Sequence, residues 1–427
     1  MHFPRPRLLQ ALVCLISIFI GTGTLGAWSA DDPLKDLVDG LRVGTPQKPE
    51  DWLSVLLEQP DGTVVTLDRV LRSEGNSDWV DRFEGQLRSV VELIGLDQTS
   101  ADENIEAWTR QCNLTLEIVQ VVGESEQVGF LLDVLGRGNE TSESYFGGGV
   151  FQRSLRLSLL AALDRDASTL RTLQHAYGDQ TRSLDAQLLR ILGDCELPNT
   201  PDTLARCLGK RRSFDGIVLT QIASNLRKPH LRISEFGLGA VRPLLDSETP
   251  HTRQSAARAL GYADDTASIQ PLIELLRDSS DSVRNESLLA LHRITAMTID
   301  GDADRWTHWF KEESDWWREE SLDVLQSLKN NTEPNLAKTM RVLAGKRLFR
   351  RELAPPVMEL LSDPRPEVVR LALATLESLR PPLNAITPPL AELAHHQDPR
   401  VRRDATRILQ YLVPQDATAP AGTSPSN

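Results

Sequence analysis

The chain has 427 residues, and its 47 Lys and Arg stand against 60 Asp and Glu, which gives a formal net charge of −13 at pH 7. Residues 31–150 hold 24 acids against 9 basic residues (9 − 24 = −15), whereas residues 341–413 hold 12 basic residues against 8 acids. Nucleic-acid binding needs a basic face, so this balance argues against a nucleic-acid partner and favours a protein partner.

The first segment, residues 1–29, has the pattern of a signal peptide. A short basic start with Arg5 and Arg7 precedes an apolar run, and the small residues of GTGTLGAWSA follow. These features predict cleavage after Ser29 or Ala30, no membrane span after cleavage, and a mature protein in the periplasm or outside the cell. The alternative interpretation is an uncleaved N-terminal anchor.

Three other segments lack the repeated helical pattern that is described below for residues 105–413. Residues 30–104 contain two amphipathic stretches, EDWLSVLLEQ and DWVDRFEGQLRSVVELIGL, which predict an atypical helical N-terminal cap. The Gly- and Ser-rich stretch GRGNETSESYFGGGV at 136–150 predicts a mobile loop. The tail at 414–427 has the composition of a disordered segment.

A helical frame recurs along residues 105–413. In SVRNESLLALHRI, apolar side chains fall at relative positions 1, 5, 8 and 9, which form one stripe on a helix. Copies of the frame follow one another mostly at steps of 29–34 residues, and they begin at Leu114, Leu155, Leu184, Val218, Thr252, Val283, Trp317, Val368 and Val401. Several copies follow a shorter apolar helix with an early proline, such as QPLIELLRD, where the missing N–H would have no partner in the first turn.

This two-helix unit resembles the HEAT repeat, and its short period is most similar to the HEAT-like repeats first named from phycobilisome lyases. The resemblance implies an all-α fold, a right-handed α-solenoid over residues 105–413 in which each hairpin buries its apolar face against its neighbours. The segment EPNLAKTMRVLAGKRLFRREL lengthens one step between copies and predicts an extra helix.

Four tryptophans lie within the stretch DRWTHWFKEESDWWREE. Trp306 and Trp309 hold apolar positions of the shorter helix, and Trp317 holds the first apolar position of the frame, so these three are predicted to be core. Trp316 precedes that position, where other copies are mostly polar. It is therefore either a partly buried residue or an exposed contact residue.

An arginine follows the first apolar position in several copies, at Arg156, Arg253, Arg284, Arg318 and Arg402. An acid precedes several of these copies, at Asp278, Glu312, Asp363 and Asp398. The resemblance implies that each arginine binds the turn acid of its own or an adjacent repeat, which is a structural role.

The sequence predicts no catalytic site, no metal site and no cofactor. It has no His-Glu dipeptide of the kind that binds iron in HEAT-repeat hydroxylases, and no phosphate-loop, zinc-protease or Gly-x-Ser-x-Gly motif. The three cysteines of the mature chain, Cys112, Cys195 and Cys207, are predicted to be small buried side chains. A disulfide between Cys195 and Cys207 is the alternative.

The leading hypothesis is a scaffold, not an enzyme, whose longer helices line a concave surface for a protein or peptide partner. Polar positions of the frame and the tryptophan discussed above give the candidate contact residues Trp316, Arg258, Glu286, Glu319, Glu320, Asp323, Arg403 and Arg407. The alternative hypothesis is a lyase-type enzyme that acts on a bound chromophore or another small ligand, and it rests only on the similarity of the repeats.

Overall fold

The structure is a computed structural model. The residues that it describes are 33–138, 143–228, 230–329, 333–381 and 383–412. The predicted signal peptide and the predicted disordered tail lie outside these ranges. All regular structure within the described ranges is helical, which confirms the predicted all-α fold class. The chain divides into two compact units, one up to Ile191 and one from Leu192 onward.

The first unit consists of helical hairpins in two rows. Its helices are α1 (Pro33–Val43), α2 (Pro49–Glu58), α3 (Thr63–Ser73), α4 (Ser77–Leu96), α5 (Ile105–Val122), α6 (Ser125–Gly136), α7 (Glu143–Gly147), α8 (Gly149–Arg165), α9 (Thr169–Ala176) and α10 (Arg182–Asp194), whose last residues pass the unit boundary. In one row α2, α4, α6 and α9 pack as successive neighbours, and in the other row α3, α5 and α8 do so. The helices of the predicted cap region therefore pack in the same two rows as the helices that follow them.

Part of the predicted loop at 136–150 is packed helix. In α7, the fully buried Phe146 lies edge-on to Trp108 with ring centroids 5.9 Å apart, and Tyr145 lies 4.7 Å from Phe151. The prediction of an unpacked loop is wrong for this helix, because its two aromatic side chains supply buried area that the surrounding glycines and serines lack. Residues 139–142 of that stretch lie outside the described residues.

The second unit repeats the hairpin arrangement. Its helices are α11 (Thr200–Ala205), α12 (Asp215–Leu226), α13 (Glu235–Val241), α14 (Pro250–Ala263), α15 (Ile269–Glu274), α16 (Asp281–Thr295), α17 (Ala303–Glu319), α18 (Ser321–Lys329), α19 (Glu333–Gly345), α20 (Arg350–Glu359), α21 (Pro366–Leu379), α22 (Leu383–Leu393) and α23 (Pro399–Leu412). Single 3-10 turns extend α13, α15 and α20.

The longer helices of the second unit form two series. Helices α12, α14 and α16 pack in succession, and so do α19, α21 and α23. The turn after α19 connects the two series, because the Arg347 side chain donates to the carbonyl of Ala296 at the end of α16 and to that of Ser378 in α21, each at 3.0 Å. The shorter helices pack separately, α11 on α13 and α15 on α17.

The repeat frame predicts the core correctly at eight of its nine first positions, and the exception is Trp317. The eight buried side chains belong to Leu114, Leu155, Leu184, Val218, Thr252, Val283, Val368 and Val401. Trp317 is only half-buried, because α17 runs without a break to Glu319 and the frame position falls in the first helix of its hairpin. The segment predicted as an extra helix is α19, which packs against α21 as the longer helix of a repeat does.

All three cysteines of the predicted mature chain are buried free thiols, as the first of the two interpretations predicts. Their burial suits small apolar side chains in a helical core.

Candidate binding surface

Ion pairs join α14 to α16 through two of the predicted contact residues. Arg258 of α14 donates to Glu286 Oε2 of α16 at 2.7 Å, and Arg293 of α16 donates to Glu286 Oε1 at 3.0 Å. Glu286 is buried, with 6% of its surface exposed. The prediction of Glu286 as an exposed contact residue is wrong, because two guanidinium groups cover its carboxylate, and Arg258 is half-buried in the same contact.

A second pair of ion contacts joins α21 to α23. Arg370 Nε lies 2.9 Å from Asp404 Oδ2, and Arg407 Nη2 lies 2.9 Å from Glu377 Oε2. Hydrogen bonds to these carboxylates raise the pKa of Arg370 and of Arg407. Arg403 is exposed beside them. Four charged residues are candidate contacts on α14, α16 and α23, and three of them, Arg258, Glu286 and Arg407, therefore link one repeat to the next.

The tryptophan predicted as a possible contact residue is buried. Trp316 is 7% exposed, and the Lys346 ammonium lies 4.8 Å from its ring centroid while pairing with Glu313 Oε1 at 2.9 Å. The half-buried Trp317 stacks on Phe349 with ring centroids 4.3 Å apart. The interpretation of Trp316 as an exposed contact residue is wrong, because the continuous helix α17 turns this side chain toward α19 and the core around it.

Trp306 is fully buried and donates its indole N–H to the carbonyl of Asp300 at 2.8 Å, so its predicted core role is confirmed. The acidic contact residues near it are not where the frame predicts them. Glu319, Glu320 and Asp323 are exposed at the junction of α17 and α18 and not on a longer repeat helix.

Three of the arginines that follow the first frame position, Arg253, Arg284 and Arg402, bind turns, and Arg253 binds a turn acid as the resemblance implies. Arg318 instead pairs with an acidic side chain of its own helix, α17. Arg253 of α14 forms two hydrogen bonds with Asp278, which ends the next hairpin's first helix, at 2.8 and 2.9 Å. These bonds lower the pKa of the Asp278 carboxyl. Arg284 and Arg402 donate to carbonyl groups of the turns that precede their own helices, each at 2.7 Å for the shortest contact.

A groove in the second unit combines helix ends with arginine side chains. Its cavity of about 1140 Å³ is lined by the C-terminal ends of α14 and α16, by α20, and by apolar side chains from α12 and α13. Six arginines line it, namely Arg232, Arg242, Arg293, Arg350, Arg351 and Arg380. Three acidic side chains line it as well, namely Glu235, Asp264 and Asp265.

Two adjacent aspartates after α14 hold three of these arginines in place. Asp264 accepts a hydrogen bond from Arg350 at 2.6 Å and forms an ion pair with Arg351 at 2.9 Å. Asp265 accepts two hydrogen bonds from Arg242, at 2.8 and 2.9 Å. Burial opposes the charged form of Asp265, but hydrogen bonds from Arg242 and Ser268 outweigh it, so its pKa is lowered. The two parallel hydrogen bonds between Arg242 and Asp265 fix the direction of that guanidinium.

The backbone at the groove has the same unusual conformation at three helix ends. Asp264, Ala296 and Arg380 follow α14, α16 and α21 with φ of 56°, 54° and 52°, in the left-handed region that favours glycine. Each of the three lines the groove. These ends also present carbonyl acceptors to the arginines of the following segment, since Arg350 donates to the carbonyl of Arg293 at 3.3 Å.

Sequence reasoning missed this groove. Its arginines come from positions as far apart as 232 and 380, and no frame position links them. The one local signal is the basic run KRLFRREL at 346–353, which lies in the segment predicted as an extra helix.

A smaller groove of about 550 Å³ in the first unit surrounds Glu117 of α5. This carboxylate accepts from the backbone N–H of Val64 at 3.0 Å and from that of Gly62, so it caps the N-terminus of α3. Burial raises the pKa of Glu117. The carboxylate has a structural role, because it satisfies N–H groups that the first turn of a helix leaves free.

Two general properties concern the described part of the chain. No cluster of three or more His, Cys, Asp or Glu side chains there could hold a metal ion. Among the same residues, no helix combines the length and the apolar composition needed to span a bilayer.

Comparison with known proteins gives a match to a repeat family. No curated protein matches the chain. Among solved structures, an engineered protein aligns with 88% of this chain and 98% of its own at 16% identity and a TM-score of 0.30. A designed armadillo repeat protein in complex with a (KR)4 peptide aligns with 64% of this chain and 98% of its own at 14% identity and a TM-score of 0.15. Residues 240–329 match the family model of HEAT repeats, which confirms the predicted resemblance to HEAT repeats for the hairpins from the end of α13 through α18.

Proposed function

We propose that this chain is an exported, non-enzymatic scaffold that binds a protein or peptide partner. The stacked HEAT hairpins support this function, because such repeats present long surfaces without requiring a catalytic site. The signal-peptide pattern of residues 1–29 supports export. The observation that carries the proposal is the arginine groove, whose six arginines outnumber the three acidic side chains of its lining and Glu286, which pairs with Arg293.

Site-specific photo-cross-linking in the producing cells tests partner binding. A benzophenone amino acid would replace Ala267, an exposed residue that lines the groove, and in the control it would replace Leu322, which is 67% exposed on α18. We expect the Ala267 position to yield a discrete cross-linked protein, identified by mass spectrometry, that is absent with the Leu322 position. Cross-linking to no polypeptide, or to the same set at both positions, would contradict the proposal.

Export and the enzymatic alternative have separate tests. N-terminal sequencing of the protein recovered from the periplasm or the medium should begin at Ala30 or Asp31, and an intact Met1 on protein inside the cell would overturn export. Visible absorbance or a co-purifying small molecule would instead favour the lyase-type hypothesis.

A further inference from the structure

We infer that the arginine groove of the second unit binds an extended, acidic peptide segment and that its guanidinium groups pair with the carboxylates of that segment. This inference rests on the proposed function, since it names the chemistry of the partner. It is carried by the charge balance of the groove, by the fixed geometry of its arginines and by its apolar lining.

The charge balance leaves guanidinium groups available. Three acidic side chains line the groove against six arginines, and Asp264 is shared between two of them. A fourth acid, Glu286, lies outside the lining and pairs with Arg293, so arginines remain in excess. Arg232 is exposed, and within the described ranges its side chain donates only to the carbonyl of the adjacent Leu231, at 2.8 Å. Arg380 is exposed, and its side chain forms no ion pair with any residue that the structure describes. A ligand with several carboxylates would neutralise this local excess of positive charge.

Three of the arginines are held in place before a ligand arrives. Arg350 is buried between Asp264 and the carbonyl of Arg293, and Arg242 is fixed by its two bonds to Asp265. Arg293 lies over the ring of Tyr262, with its guanidinium carbon 4.4 Å from the ring centroid. Side chains that are already ordered lose little conformational freedom on binding, and a planar guanidinium can bind a carboxylate through two parallel hydrogen bonds.

The shape and lining favour a peptide over a small molecule. The cavity of about 1140 Å³ exceeds the range of roughly 300–1,000 Å³ that is usual for small-ligand pockets. The apolar side chains of Leu226, Leu238, Pro355 and Met358 line the same groove. In an extended peptide, successive side chains point to opposite sides, so acidic residues can reach the arginines while apolar neighbours contact this lining.

A nucleic acid is the less favoured polyanion. Its phosphates would extend beyond the groove, and the chain as a whole carries a net charge of −13. A duplex or a long single strand would therefore meet repulsion outside the groove, whereas a short acidic segment meets the positive charge alone.

Fluorescence anisotropy with a labelled ten-residue peptide of alternating Asp and Ala tests the inference on the full chain at low salt. We expect saturable binding that weakens as salt rises, and no binding of the matched peptide of alternating Asn and Ala. Arg232→Glu combined with Arg380→Glu should weaken binding at least tenfold, because two attractive contacts become repulsive. Arg403→Glu, which changes an exposed arginine on α23, should leave the Kd within about twofold.

The outcomes separate this inference from the proposed function. No saturable binding of the acidic peptide, an equal loss in the groove and control variants, or preferential binding of a single-stranded oligonucleotide would overturn the inference. If one of these results is found while the cross-link at Ala267 still captures a protein, the acidic character of the partner is refuted and the proposed function stands. If thermal melting shows that the double variant is misfolded, Arg380→Gln at an exposed position replaces it, and an unchanged Kd for that variant would also count against the inference.

Discussion

The hairpin α15–α16 and the hairpin formed by α17, α18 and α19 are both parts of the second unit, but they contribute differently to it. In α15–α16 the short helix is followed directly by a long helix whose frame positions are buried, and its end supplies backbone carbonyls to the groove. In the later hairpin the first helix has 17 residues, a short helix is inserted, and the turn after α19 supplies arginines.

These differences explain how the groove is built. The regular repeats place similar helix ends side by side, each closed by a residue with positive φ. The irregular repeat then directs Arg347 and Arg350 onto those ends. The regular repeats thus provide the helix ends, and the segment after α19 adds two of the six groove arginines, Arg350 and Arg351. Each of the following substitutions tests one side of this comparison.

The largest expected effect concerns the tryptophans of the irregular hairpin. Trp316→Ala should lower the free energy of unfolding by about 3–5 kcal/mol, because it truncates a large buried side chain. Trp317→Ala removes a half-buried ring stacked on Phe349 and should cost about 1–2 kcal/mol. Urea melts of the two variants compare these values, and a larger loss for Trp317→Ala would mean that the repeat frame, and not α17, places these side chains.

The next comparison concerns leucines at equivalent frame positions in the two hairpins. Leu291→Ala in α16 removes a fully buried side chain and should cost about 2–5 kcal/mol. Leu325→Ala in α18 removes a side chain that is only partly buried against the core, so it should cost about 1–2 kcal/mol. Denaturant melts that give equal losses would show that α18 is packed as deeply as the regular helix.

Substitution of Arg350 tests whether the segment after α19 stabilises the C-terminal ends of the regular helices. Arg350→Ala removes a buried guanidinium that binds Asp264 and the carbonyl of Arg293, and it should cost about 1.5–3 kcal/mol. Arg351→Ala, at an exposed side chain that binds the same aspartate, should cost about 0–1 kcal/mol. Thermal melting of the matched pair checks this, and an equal effect would contradict a fastening role for Arg350.

The smallest expected effect is a pH dependence within the regular repeats. Hydrogen bonds from Arg253 lower the pKa of Asp278 below its ordinary 3.8, so this carboxylate stabilises the folded state above about pH 3.8 and loses that contribution as pH falls through the lowered value. Asp278→Asn should remove about 1 kcal/mol at neutral pH and should show a smaller further loss on acidification than the parent chain.

Urea melts between pH 7 and pH 2 measure this difference. Asp281→Asn, at an exposed side chain in the first turn of α16, serves as the control and should keep the parent's acid response. Parallel pH curves for the parent and Asp278→Asn would contradict a stabilising role for the Arg253 pair.

The two hairpins also show what sequence can predict here. The frame identifies buried positions such as Val283 and Leu291 because each repeat places the same kind of side chain against the same neighbours. It fails at Trp317, because one continuous helix replaces the expected turn and shifts the frame into α17. The resemblance also predicts the Arg253–Asp278 pair, which recurs with the repeat.

The groove could not be predicted in this way. It depends on which helix ends lie together after the irregular hairpin has been accommodated, and that is a property of packing across about 150 residues of sequence and not of any single frame position. Likewise, the buried state of Glu286 depends on Arg258 from the preceding repeat, so its polar frame position gave a wrong expectation of exposure.

Amide hydrogen exchange of the full chain, with and without the acidic peptide, tests most directly the central claim that the arginine groove, and not the face of the longer helices, is the binding surface. The account predicts slower exchange with peptide at residues 261–267, 292–296 and 350–358, which line the groove, and unchanged exchange at residues 399–412 of α23. Protection confined to α21 and α23, or no protection in the second unit, would contradict it.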